Sequence, residues 1–160
     1  MNKKGFTLVE LLAVIVLIAV ISGIGITSYA LIKNKINKKI FTNKLAEIVS
    51  SAEKWGEYNK DKLSKEITLE ELIKDKYFET DETIDATKYN CDDSNKENGL
   101  CKNVVINNVD NIVINNLEIK VFKKNKQVYG CIIVDDNNKE LLNEDENFTK
   151  YSDLNLYCDK

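Results

Sequence analysis

Apolar residues follow three regimes along this chain. From Phe6 to Ile26 they are almost continuous (Phe-Thr-Leu-Val-Glu-Leu-Leu-Ala-Val-Ile-Val-Leu-Ile-Ala-Val-Ile-Ser-Gly-Ile-Gly-Ile), and Glu10 is the one charge. At about 1.5 Å per residue, a helix over this span is ~31 Å long, the thickness of a bilayer's hydrocarbon core. Beyond it the spacing opens to steps of three to five: Ile32, Ile36, Ile40, Phe41, Leu45, Ile48, Val49, Ala52 and Trp55 recur among Lys, Asn, Glu and Ser. This is the period of an amphipathic helix. No proline separates the two segments, so one helix from about Phe6 to about Tyr58 is expected, with Gly56 weakening its end. Its second half carries an apolar stripe that the downstream chain must cover.

The downstream chain has the elements to do so. Leu69, Leu72, Ile73 and Phe78 give the apolar face of a second, short helix, with Thr68 as N-cap and Glu70 and Glu71 in its first turn. Residues 80–102 are polar and read as a surface loop. The last third changes to a period of two. Residues 104–106 form a β-branched run, and 117–122 and 128–134, joined by polar 123–127, predict a hairpin. Ile112–Ile114 is a further strand or the start of the first arm. Residues 135–147 are acidic and loop-like, and 154–158 predict a terminal strand. The expected class is α+β: a long N-terminal helix whose hydrophobic half protrudes and whose amphipathic half packs on a small antiparallel sheet.

Glu10 makes the apolar run more than a generic anchor. A carboxylate in hydrocarbon costs roughly 2.5–3.5 kcal/mol at mid-membrane and less near an interface. Either Glu10 lies near the headgroups and snorkels or takes a proton, or it meets a cation supplied by another molecule. A cut between Gly5 and Phe6 would create an α-ammonium one helical turn from Glu10 on the same face. Between staggered helices that pair would set an axial register.

The segment Lys4-Gly5-Phe6-Thr7-Leu8-Val9-Glu10-Leu11-Leu12 resembles the N-terminal signature of type IV prepilins and of the pseudopilins of type II secretion and DNA-uptake machines. The resemblance implies a pilin fold with 1–5 as leader peptide, 6–30 as transmembrane and filament-core helix, and 31–160 as globular head. It implies cleavage after Gly5 by a prepilin peptidase, N-methylation of Phe6, and pairing of the Glu10 carboxylate with the Phe6 amine of a neighbouring subunit. The implied partners are further copies, other pilins, the peptidase–methylase, an assembly platform and the membrane. The implied location is the cytoplasmic membrane for the single-pass prepilin, then an extracellular filament. A pilus subunit and a pseudopilin share this N-terminus and differ in use.

Two other readings compete. A signal peptide would use Lys3-Lys4, the apolar core and Ser28-Tyr29-Ala30 as cleavage site, but the core is longer than the usual 7–15 residues and Glu10 interrupts it. A plain membrane-anchored extracellular binding module is the other. The distribution of lysines does not help a pilin orientation: Lys3 and Lys4 flank one end, while Lys33, Lys35, Lys38 and Lys39 crowd the other.

Net charge is −3, and more negative once Lys3 and Lys4 leave with a leader. This argues against nucleic acid as an obligatory partner. Histidine is absent, which removes Ser-His and Cys-His dyads; no catalytic residue, cofactor or metal is expected, and the chain does not read as an enzyme. The four cysteines, Cys91, Cys101, Cys131 and Cys158, lack zinc spacing. In an exported domain they are candidates for two disulfides. Cys91–Cys101 with Cys131–Cys158 is the preferred pairing, the second pinning the C-terminal segment to the hairpin as pilins often do; Cys91–Cys158 with Cys101–Cys131 is the rival. Asp93, Asn95 and Glu97 alternate as in a calcium loop, but the glycine is one residue late and no distal Glu closes the pattern.

Overall fold

A computed structural model describes residues 7–81, 84–89, 91–142 and 156–158, with backbone alone for 23–28, 30 and 140. In chain order the elements are helix α1 (Leu8–Tyr58), strand β1 (Glu66–Thr68), helix α2 (Leu69–Lys74), and the short strands β2 (Ile84–Asp85), β3 (Lys96–Glu97), β4 (Leu100–Cys101), β5 (Ile106–Asn107) and β6 (Ile112–Val113). The long hairpin arms β7 (Glu118–Lys124) and β8 (Gln127–Ile133) follow, then helix α3 (Asp136–Leu142) and strand β9 (Tyr157–Cys158). The chain divides into two compact units, 1–37 and 38–160.

In the first unit α1 is regular from Leu8 onward. Every described side chain from Leu8 to Ser22 is exposed. Among the described residues no helix is long and apolar enough to cross a membrane.

The second unit is built around residues 41–55 of α1. Phe41, Leu45, Ile48, Val49, Ala52 and Trp55 pack in one cluster with Ile67, Leu69, Leu72, Ile119, Val121 and Ile132. Burying each such side chain is worth about 1.5–3 kcal/mol before ordering costs. The covering sheet has the order β1-β7-β8-β9. β1–β7 and β7–β8 are antiparallel, with Ile67 opposite Ile119 and Val121 opposite Gly130. β9 is parallel to β8, with Ile132 opposite Tyr157. Alternation along β7 puts Ile119 and Val121 in the core and Glu118, Lys120 and Phe122 on the other face. Two smaller sheets, β2-β4-β3 and β5-β6, complete the unit.

Several positions depart from the expectations read off the chain. The apolar stripe of α1 is two stripes: Ile40 is 44% exposed while Phe41 is 3% exposed, so Ile32, Ile36 and Ile40 do not share the buried face of Leu45 and Ile48. The helix ends two residues past Gly56, at Tyr58, and at Gly56 the sheet lies directly on it. A Cβ there would lie 2.5 Å from Val121 Cγ1 and 2.7 Å from Val128 Cγ1. The acidic stretch after β8 is helical over α3, because Asp135 caps it through the Asn138 amide at 2.9 Å and Leu142 enters the core. The polar segment between Cys91 and Cys101 contains β3 and β4. The terminal strand runs parallel to its neighbour, which adjacency in an antiparallel sheet would not suggest.

Polar ties lock the helix to its cover. Lys44 Nζ donates to both Asp81 carboxylate oxygens at 2.8 Å and to the Ile106 carbonyl at 3.0 Å. Asp81 also accepts the Ile106 amide at 2.7 Å. Trp55 Nε1 donates to Asp75 at 2.8 Å. Asn138, fully buried, accepts the Glu118 amide at 2.9 Å and donates to the carbonyls of Glu118 and Ile133 at 2.9 and 2.7 Å. α2 starts with a capping box between Thr68 and Glu71, as its sequence predicts.

Candidate functional site

The residues proposed for processing, Gly5 and Phe6, lie outside the described residues. Glu10 lies inside them, at the third position of α1, and its surroundings are specific. Thr7 precedes the helix, and its carbonyl accepts the Leu11 amide at 3.1 Å, the first helical bond. The Thr7 amide donates to Glu10 Oε2 at 2.8 Å, and the Thr7 hydroxyl donates to the same oxygen at 2.9 Å. The Glu10 amide in turn donates to Thr7 Oγ1 at 3.3 Å. This reciprocal arrangement is a capping box, which satisfies amides that the first turn would leave without partners.

Thr7 is the residue that reading for charge and apolarity passed over. The signal was present: Thr-x-x-Glu before an apolar run is the sequence form of the box. A carboxylate at this position also lies at the positive end of the helix dipole. Both Thr7 bonds go to Oε2; no described residue donates to Oε1. An ionised carboxylate has about four acceptor sites on its two oxygens, more than the Thr7 bonds use.

Box energetics decide how much of Glu10 this explains. An N-terminal cap is worth about 0.5–2 kcal/mol, against roughly 2.5–3.5 kcal/mol for a carboxylate deep in hydrocarbon. The box therefore accounts for Glu10 at an interface and falls short at depth, where a proton or a counter-charge must make up the difference.

Residues 1–26 match the family model for the prokaryotic N-terminal methylation motif. They carry the type IV prepilin signature. No curated protein and no solved structure matches the chain. The prepilin signature over these residues supports a pilin-like, prepilin-type reading of the chain. It points to a structural subunit rather than an enzyme, and it implies processing by a prepilin peptidase, assembly with other pilins, and membrane insertion ahead of a surface or pseudopilus filament.

The unit of residues 38–160 holds the remaining candidates. The structure pairs Cys91 with Cys101 and Cys131 with Cys158, at Cα–Cα distances of 6.2 and 5.7 Å. The first closes a small cluster of Cys91, Cys101 and Val104, and the second fastens β9 to β8. In the loop between Cys91 and Cys101 the acids face lysines: Asp93 with Lys96 at 3.5 Å, and Glu97 with Lys102. The Lys102 ammonium holds the Glu97 carboxyl below its ordinary value of 4.5, through its hydrogen bond first and its charge second. Asp85 is likewise lowered, by the Thr87 hydroxyl and amide. Among the described residues no group of three or more His, Cys, Asp or Glu converges as metal ligands would.

Proposed function

We propose that the chain is a structural subunit of a type IV pilus or pilus-like filament, cleaved after Gly5, N-methylated at Phe6 and polymerised through its N-terminal helix. The observation that carries this reading is the methylation motif over residues 1–26, with Glu10 set in the first turn of α1. Residues 1–5 act as leader, 6–30 as membrane and filament-core helix, and 31–160 as head. In the membrane, Glu10 Oε2 is held by Thr7 and Oε1 takes the Phe6 ammonium of the next copy. That pair supplies the counter-charge that capping alone does not, and it fixes one axial offset between neighbours. The work of extraction and assembly comes from partner machinery.

Mass spectrometry of the native N-terminus tests the processing step. N-methyl-Phe6 is expected. A start at Tyr29 or later would place the chain among signal-peptide proteins, and retention of Met1 or Asn2 would make it a plain anchored module; either result overturns the proposal. Glu10→Val tests the assembly step: the variant inserts and is cleaved but does not enter filaments, and normal incorporation refutes the register role. Imaging of surface filaments separates a pilus subunit from a pseudopilin, which would give the same N-terminus.

A further inference from the structure

The lysine-rich flank beyond the apolar run has no role in the filament reading. Tyr29, Leu31, Ile32 and Ile36 are all exposed on α1, by 52 to 73%. Lys33 and Lys35 are exposed among them, and no described carboxylate pairs with either. Tyr29, Ile32, Lys33 and Ile36 are spaced by three and four, so they share one helix face. Lys38 and Lys39 follow in sequence. Apolar residues with an aromatic ring and flanking ammonium groups are the make-up of a helix segment seated in a membrane interface.

Orientation makes this flank informative. Lysines favour the cytoplasmic side, yet in the prepilin orientation these lysines lie on the opposite side, outnumbering Lys3 and Lys4. Cations held against that bias are stabilised where they meet a counter-charge. Among the described residues no carboxylate pairs with Lys33 or Lys35, and the register places these two at headgroup level. Lys33 is seven residues past Ile26, ~10 Å along the axis, and its side chain leans back toward the N-terminus. The headgroup layer is roughly 5–8 Å deep on each side.

We propose that the Tyr29–Asn37 segment of α1 seats in the outer headgroup layer and that Lys33 and Lys35 bind the phosphates of anionic lipids. This contact holds the subunit at one depth until it leaves the membrane. Lys38 and Lys39, ~18–20 Å past Ile26, reach that layer only through screened attraction, which fades over about 8–10 Å. Their contribution is smaller, and this graded order is specific to a lipid partner. The proposal rests on the reading of residues 6–30 as membrane-inserted.

The test uses the full-length chain carrying Lys3→Gln and Lys4→Gln, which removes the cations of the other end, reconstituted in phosphatidylcholine vesicles containing phosphatidylglycerol. Spin-labelled lipids report the preference of the motionally restricted shell for phosphatidylglycerol over phosphatidylcholine. A preference of about fivefold or more is expected, falling with added salt. It should drop to near parity with Lys33→Gln and Lys35→Gln together, and drop less with Lys38→Gln and Lys39→Gln. An inserted chain with no preference, a preference that survives loss of Lys33 and Lys35, or an equal effect of the two pairs overturns the lipid proposal alone. Crosslinking of Lys33 to a second copy in place of a lipid preference also overturns it. A chain that does not stay with the vesicles removes the membrane reading as well.

Discussion

Replacing Gly56 by Ala tests how closely the sheet lies on α1. The added Cβ would stand 2.5 Å from Val121 Cγ1, 2.7 Å from Val128 Cγ1 and 3.2 Å from Leu63 Cδ2. Carbon atoms settle at about 3.5–4.0 Å, so two valines must each recede by about 1 Å. Val121 is fully buried in the middle of β7 and cannot turn away without disturbing Ile119 and Leu117. Overpacking of this kind costs about 1–3 kcal/mol. Against it stands the helix preference of Ala over Gly, up to ~1 kcal/mol in a helix interior and less here, two residues from the end of α1. The packing term wins, and a net loss of about 1–2 kcal/mol is expected. The single tryptophan, Trp55, is 3% exposed in the same core, so its fluorescence reports urea unfolding of the full chain in mild detergent. The midpoint should fall with an unchanged slope. With the Val121 clash remaining, Val128→Ala should still cost less in the Gly56→Ala background than in the native chain, a coupling of about 1 kcal/mol between the two sites. A Gly56→Ala midpoint at or above that of the native chain, or strict additivity with Val128→Ala, would refute the account.

Other expectations follow from single contacts. Thr7→Val keeps the shape of the side chain but loses the hydroxyl of the capping box, so amide exchange at Glu10 should speed up by roughly fivefold, the equivalent of ~1 kcal/mol of cap; Thr7→Ser should keep the native rate, and equal rates in both variants would remove the box. Asn138→Ala strips partners from the Glu118 amide and from two carbonyls, and should lower stability by about 2–4 kcal/mol in the same urea assay; a loss below ~1 kcal/mol would mean that water replaces the side chain. The Cys131–Cys158 bridge spans 27 residues and Cys91–Cys101 spans 10, so paired Ser substitution should cost more at the first, by about 1 kcal/mol on loop entropy; the reverse order would show that the shorter bridge does more than close a loop. Because the folded Glu97 carboxyl titrates below its ordinary 4.5, its tie to Lys102 is present above that value and lost as pH falls through the lower, folded one. An NMR titration should find the midpoint below 4.5 and return it toward that value in Lys102→Gln; an unmoved midpoint would count against the contact.

Where local chemistry dominates, the chain was legible. The period of α1, the Thr68 cap of α2 and the β7–β8 arms each follow from neighbouring residues, and each is found. What escaped depends on contacts between distant segments. Nothing near Ile40 says that it turns outward while Phe41 turns inward, because the sheet decides which face of an evenly spaced helix is covered. Gly56 reads as a weak point until Val121 and Val128 are laid over it. β1 is three residues long and exists because β7 offers an edge at Ile119, and β9 runs parallel because it returns to β8 after α3. Thr7 is a different case. Its motif was legible, and the neighbouring charge drew attention away from it.

The buried face of α1 has a bearing on the order of events during synthesis. Phe41, Leu45, Ile48 and Trp55 emerge early, but much of what covers them, Ile114, Leu117, Ile119, Val121, Ile132, Leu142 and Leu156, is made late. Most of the chain must therefore be complete before the unit of residues 38–160 can close around α1. Until then an oily strip waits without cover. A nascent head with so many distant pairings folds slowly, so a holding chaperone acting at that interval, or a stalled chain captured with its strip still accessible to protease, would be the visible trace of this delay.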